Sequence, residues 1–154
     1  MYRLGIVTEQ DSTGARVRVR FPDRDQMQSY WLRVVVPKTH ADKVFWMPDL
    51  GEQVVCAMDE WDEAGAVLGA IYSSVDTTPV QSPDKFNLTF LDGTVIEYDR
   101  SAHALTINLC AGASAALNAP AGITISSGAT KVTIGPSGVS IVPPLPITST
   151  VAQT

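Results

Sequence analysis

Short runs of alternating apolar and polar residues mark this chain from its start, and no helical apolar period of useful length interrupts them. Leu4 to Glu9 is a candidate first strand, closed by the turn residues Asp11-Ser12-Thr13-Gly14. In Ala15 to Phe21, Arg16, Arg18 and Arg20 alternate with Val17, Val19 and Phe21. That period of two predicts a half-buried strand with a basic outer face. Pro22 to Ser29 reads as a polar connection. Tyr30 to Val36 is a β-branched and aromatic run stopped by Pro37, and Val44 to Met47 is a short one stopped by Pro48. Gln53 to Met58 and Ala66 to Tyr72 are two more strands around the acidic turn Asp59-Glu60-Trp61-Asp62-Glu63. Five or six short strands in about 75 residues suit a small closed barrel, because closure removes exposed strand edges. A five-stranded Greek-key OB barrel matches that size.

Residues 76–102 read as a linker and a hairpin. Pro79 and Pro83 favour extended backbone. Asn87 to Leu91 and Thr94 to Asp99 flank Asp92-Gly93, the signature of a type I′ turn.

The pattern changes at His103. Leu105, Ile107 and Leu109 alternate with Thr106 and Asn108. Ile123 and Ile125 flank Thr124, Val132 and Ile134 flank Thr133, and Val139 and Ile141 flank Ser140. Gly, Ala, Ser, Pro or Asn separates each group from the next. The spacing is loose, yet it has the strand, tight corner, strand form of a β solenoid or an intertwined β prism. Each strand offers two or three inward apolar side chains, a gain of about 3–9 kcal/mol on full burial. Fixing about five residues costs on the order of 1–2 kcal/mol each. The margin vanishes unless the apolar row is covered, so a lone copy is marginal. Three copies meeting on an axis would cover the rows. Leu105, Ile107, Leu109, Ile123, Ile125, Val132, Ile134, Val139 and Ile141 are the candidate core of that trimer.

Charge sharpens the division. All 16 acidic residues and ten of the 11 basic ones lie in residues 1–100, and Lys131 is the one Lys or Arg beyond them. A Lys131 pointing outward with its stem along the surface fits such a segment. Ala115, Ala116, Gly122, Gly128 and Gly138 allow a narrow cross-section. The formal net charge of -5 argues against a nucleic-acid partner. The start lacks the long apolar run of a signal peptide, and no run of 18 apolar residues suggests a transmembrane helix. Cys56 and Cys110 lie among apolar residues and read as buried thiols.

Signals for chemistry are sparse. His40 sits in a polar loop and His103 at a turn, neither at metal-ligand spacing. The carboxylates of residues 59–63 read as a solvated turn, with Trp61 as an exposed or subunit-facing anchor. Trp31 and Trp46 are expected in the barrel core or at an interface. The arginine row reads as an outer face paired with acidic neighbours. No enzyme is expected. A cell-wall hydrolase domain has no room.

Several segments, in order, carry a family resemblance: Leu4-Gly5-Ile6-Val7, Ala15 to Pro22, Trp31-Leu32, Trp46 to Val55, Gly65 to Tyr72, and Phe90 to Asp99. The chain resembles the phage baseplate assembly protein V family, the central spike of contractile tails, and the related spike part of VgrG proteins of type VI secretion. The resemblance implies an all-β homotrimer. Residues 1–75 would form an OB-fold collar seated on the baseplate hub at the tail-tube end. Residues 76–102 would lead into an intertwined trimeric β-helix or β-prism needle over 103–142, with a tip at 143–154. It implies a spike that pierces the host outer membrane on sheath contraction, in a virion tail baseplate or tailocin particle made in the host cytoplasm. Relatives hold a tip iron with paired H-x-H histidines. No histidine follows His103, so no cofactor is expected, and apolar packing, a separate small tip protein or a shortened chain would account for the tip. The alternative is an OB-fold binding module for single-stranded nucleic acid or a glycan, suggested by the barrel and the arginine row.

Overall fold

The computed structural model describes residues 1–142, so the tip expected at 143–154 lies outside the described residues. The protein is all-β. Twelve strands run in chain order: β1 (Tyr2–Asp11), β2 (Arg16–Phe21), β3 (Met27–Gln28), β4 (Leu32–Val34), β5 (Gln53–Met58), β6 (Gly65–Ala70), β7 (Lys85–Thr89), β8 (Val95–Asp99), β9 (Ala104–Asn108), β10 (Ile123–Ser127), β11 (Thr130–Gly135) and β12 (Gly138–Val142).

The first six build a closed barrel. β1 pairs with both β2 and β5, β5 with β6, β6 with β4, and β4 with β2, which completes the circle. The β4–β6 pairing is parallel and the other four are antiparallel. β3 extends the sheet outside the ring. A five-stranded barrel with this order is consistent with an OB fold. Its interior is Val7, Val17, Val19, Phe21, Leu32, Val54, Cys56, Met58 and Val67. In β2 the alternation works as the sequence implied, with all three apolar residues buried and all three arginines half-buried.

Two strand expectations fail. Tyr30 to Val36 shrinks to the three residues of β4, and Val44 to Met47 forms no strand. Pro37 and Pro48 supply no amide proton for a ladder, and only an isolated bridge between Thr39 and Lys43 forms nearby. Conversely, Pro22 to Ser29 contains β3, because the turn at Arg24–Met27 folds Met27 and Gln28 back onto β2. Asp25 and Gln26 take positive φ in that turn, at 50° and 63°.

β7, β8 and β9 form a three-stranded sheet in that order. The Asp92-Gly93 turn is present but is not type I′. The Gly93 amide donates to the Phe90 carbonyl, Gly93 has a φ of 87°, and Asp92 stays out of the positive-φ region. A type I turn closed by a left-handed glycine results. The Asp92 carboxylate accepts from the Thr94 amide and the Cys110 thiol, which with backbone bonding hold its pKa below the ordinary value.

β10, β11 and β12 form an antiparallel meander. Gly128 has a φ of 55° in the tight turn between the Ser127–Thr130 pair. Positive φ at the first central residue makes that turn type II′ and suits the twist of the strands. The chain divides into two compact units, Met1–Leu88 with Glu97–Leu105, and Thr89–Ile96 with Thr106 onward.

Candidate assembly site

The meander places six of the nine candidate core residues on one face. Ile123 stands opposite Ile134, which stands opposite Val139. Ile125 stands opposite Val132, which stands opposite Ile141. Residues directly opposite across a ladder share a face, and so do residues two apart along a strand. The result is two rungs of three β-branched side chains. The other face carries Thr124, Thr133 and Ser140 in one rung and Ser126, Lys131 and Val142 in the next. Lys131 therefore lies on the polar face and is exposed.

The described residues leave the apolar face largely open, although Leu117, Asn118, Ala119 and Pro120 line a hollow with Ile123 and Ile134 at one end of it. Ile125 keeps 64% and Val139 67% of its surface accessible, and Ile123, Val132 and Ile141 are only half-buried. Leu105 and Ile107 share one face of β9, and Leu109 follows the strand; all three are exposed. Among the described residues, none beyond Val67 is buried.

The barrel carries two contrasting outer faces. On the β2 side, Arg16 pairs with Asp11 at 2.5 Å, Arg18 with Glu9 at 3.4 Å, and Arg20 with the Gln26 side chain. The guanidinium carbons of Arg16 and Arg18 lie 5.7 and 5.2 Å from the centre of the Trp31 ring. The acidic pairing expected of this row is present for Arg16 and Arg18, whereas Arg20 meets a neutral amide. Trp31 lies half-buried under those arginines and Trp46 is exposed, so neither is in the barrel core. On the β1–β5–β6 side the outer positions Tyr2, Leu4, Val55, Ala57 and Gly69 carry no charge, and Tyr2 and Leu4 are exposed. The alternation of the arginine row gives no hint of this second face. Its signal lies elsewhere in the sequence: β1 from Leu4 to Val7 and β5 from Val54 to Met58 have no polar alternate positions.

The acidic turn departs from the uniformly solvated one that its composition implies. Asp59, Glu60 and Glu63 are exposed, but the Asp62 side chain is only 3% accessible. Its two oxygens accept from Arg3 at 2.5 and 2.7 Å, and Arg24 adds a bond of 2.7 Å. Arg3 also reaches Asp23 at 3.2 Å. Hydrogen bonding from Arg3 outweighs desolvation and holds the Asp62 carboxyl below the usual carboxylate range, while Asp62 raises Arg3. The fork geometry of two planar groups makes this a directional lock between β1, the β2–β3 turn and the β5–β6 loop. Asp62 takes a left-handed φ of 59° to make it, and leaves Trp61 beside it 74% exposed.

The remaining candidates are quiet. Cys56 is a buried thiol pushed up to about 11 by desolvation, as its apolar setting implied, whereas Cys110 is only half-buried. His40 is exposed, and His103 occupies a turn with a φ of 53°. Among the described residues no three His, Cys, Asp or Glu side chains gather as a metal-ligand set.

Residues 3–72 match the type VI secretion system/phage-baseplate injector OB domain. Over 139 residues the chain is 31% identical to the spike protein of Escherichia phage P2, covering 87% of this chain. It spans 64% of the length of that relative.

Proposed function

Because residues 3–72 match the phage-baseplate injector OB domain and most of the chain is similar to a phage spike protein, we propose that this protein is the structural central spike of a contractile injection apparatus. Its place is the tail baseplate of a virion or a tailocin particle. In this reading three copies assemble, with the barrels forming a collar on the hub at the tube end. The segment from His103 onward becomes an intertwined β-helix or β-prism needle that pierces the host outer membrane when the sheath contracts. The work is mechanical and involves no catalytic turnover.

The observation that carries the reading is the two-rung apolar face of Ile123, Ile134, Val139, Ile125, Val132 and Ile141, open on a sheet with no buried residue. Three strands with an apolar face are the least that can hold together alone, and sheets facing one another about 10 Å apart bury such faces. Three copies around an axis supply three walls. Charge is nearly absent from the segment, so few groups need desolvating when it enters lipid. Membrane entry without a spanning helix requires that backbone groups pair among themselves, which strands from several chains can do.

Negative-stain imaging of the purified full chain tests this. The expected particle is a threefold collar with a thin projection; round particles of single-chain size would sink the reading.

A further inference from the structure

Two features of the barrel have no partner within the described residues, and they are opposite in sign. The first is a surface pocket lined by Arg16, Trp31, Arg33, Val34, Val36 and Thr39. Arg16 and Arg33 stand directly opposite each other on β2 and β4. Like charges in that position repel unless an anion lies between them. Asp11 neutralises Arg16, but Arg33 is exposed and makes no ion pair among the described residues. The pocket thus has an excess positive charge and the flank of an indole.

The second feature is the β5–β6 loop. Asp59 spends its carboxylate on the Glu63 and Ala64 amides. Glu60 and Glu63 are exposed with no cation on their carboxylates among the described residues, and Trp61 projects between them. The loop is held rigidly for docking, because Asp62 is clamped by Arg3 and Arg24. On β1 the pocket and the loop lie at opposite ends: Asp11 pairs with Arg16, and Tyr2 pairs with Ala57 just before the loop.

We propose that the β5–β6 loop of one copy docks in the Arg16–Trp31–Arg33 pocket of the next, placing Trp61 against its apolar wall and Glu60 or Glu63 beside Arg33. This rests on the trimer reading above and assigns its collar contact. An interface between two different patches is head-to-tail, and three such contacts close a ring. The occupant is a second copy because this chain itself carries the complementary loop: an exposed aromatic, two unspent carboxylates and a fixed backbone. Tryptophan and arginine are also the side chains that most often dominate binding energy at the centre of an interface.

The test uses the full chain with Cys110→Ser, so that Cys56, sealed in the barrel, is the one native thiol left, and adds Arg33→Cys and Glu60→Cys together, treated with a short thiol-specific bifunctional cross-linker, with each single variant as control. A second arm measures binding of labelled oligothymidine at low salt, with and without Arg33→Glu. The inference expects a trimeric mass, with covalent dimers and trimers from the double variant and neither from the single ones. A trimeric mass without cross-linking overturns the collar contact and leaves the trimer standing. A single-chain mass overturns both. Oligothymidine binding that Arg33→Glu abolishes gives the pocket to a polyanion and also overturns the contact.

Discussion

The barrel and the segment after it use the same kind of strand and reach opposite outcomes. In the barrel, every apolar row turned inward is covered, and nine side chains form a closed interior within one chain. In the β10–β12 meander the alternation is equally regular, yet its apolar row is only partly covered among the described residues, and none of its side chains is buried. Regular patterning fixes which face is apolar; it does not supply what covers that face. A barrel covers its own because it closes, whereas an open three-stranded sheet leaves its apolar face to be covered by something else. The contrast extends to charge. The barrel spends its charges on ion pairs around its rim and its loops, and the meander has only Lys131, on the polar face.

Several changes would break or sharpen this contrast. The largest effect is expected from Val132→Asp, at the centre of the apolar face. Covering that residue contributes about 1.5–3 kcal/mol per copy, and a carboxylate there would have to be desolvated. Sedimentation should show the assembly falling apart while circular dichroism still reports a folded barrel. The same substitution at Thr133, one residue along on the polar face, should leave the assembly intact.

Next in size is Asp62→Asn. It leaves the nearly buried Arg3 with only the more exposed Asp23 as a carboxylate partner, and removing one member of a buried pair costs more than the pair contributes. The barrel's Tm should drop by several degrees or more, with the apolar face of the meander unaffected. If the Tm does not move, the clamp is not what fixes the β5–β6 loop.

Acid should produce a smaller, graded effect of the same origin. The folded pKa of Asp62 lies below its ordinary value near 3.8. The stability it contributes is therefore fully present above that value and is lost as pH falls through the folded one. Thermal melts should be flat from neutral pH down to about 5 and fall below about 4. Asp62→Asn should flatten part of that fall; an unchanged slope would assign the acid sensitivity to other carboxylates.

The thiols give the gentlest comparison, since labelling leaves most of the fold alone. Cys56 is sealed in the barrel with its thiol pushed up to about 11, while Cys110 is half-buried beside Asp92. At about pH 8 a thiol reagent should label Cys110 promptly and Cys56 only after denaturant is added. Equal rates would show that the barrel interior opens readily.

Much of the barrel was legible because its strands carry two-residue alternation and its loops carry Gly and Pro. β5 matches the expected bounds residue for residue, and β2 differs by one. The losses came where backbone pairing overrode composition. Tyr30 to Val36 reads as a long β run, yet Pro37 and the short reach of β6 leave only Leu32–Val34 on the ladder. At Asp92-Gly93 the dipeptide pointed to a hairpin correctly and to the wrong turn type, because the chain bends one residue earlier, at Phe90. The role of Asp62 was hidden for a different reason. Its partners Arg3 and Arg24 are 59 and 38 residues away, and no local pattern distinguishes a buried carboxylate from its exposed neighbours Glu60 and Glu63. The alternation made the six-residue apolar row of the meander readable, whereas the Arg33 pocket was not, since it exists only once β2 and β4 are paired.

The central claim is that the segment from His103 onward folds by being covered with copies of itself. The most direct test is the mass of the full chain in solution by sedimentation equilibrium across a wide concentration range. The account predicts one species at three times the 16.5 kDa chain mass, stable on dilution. A single-chain mass with the β10–β12 amides protected from hydrogen exchange would contradict it.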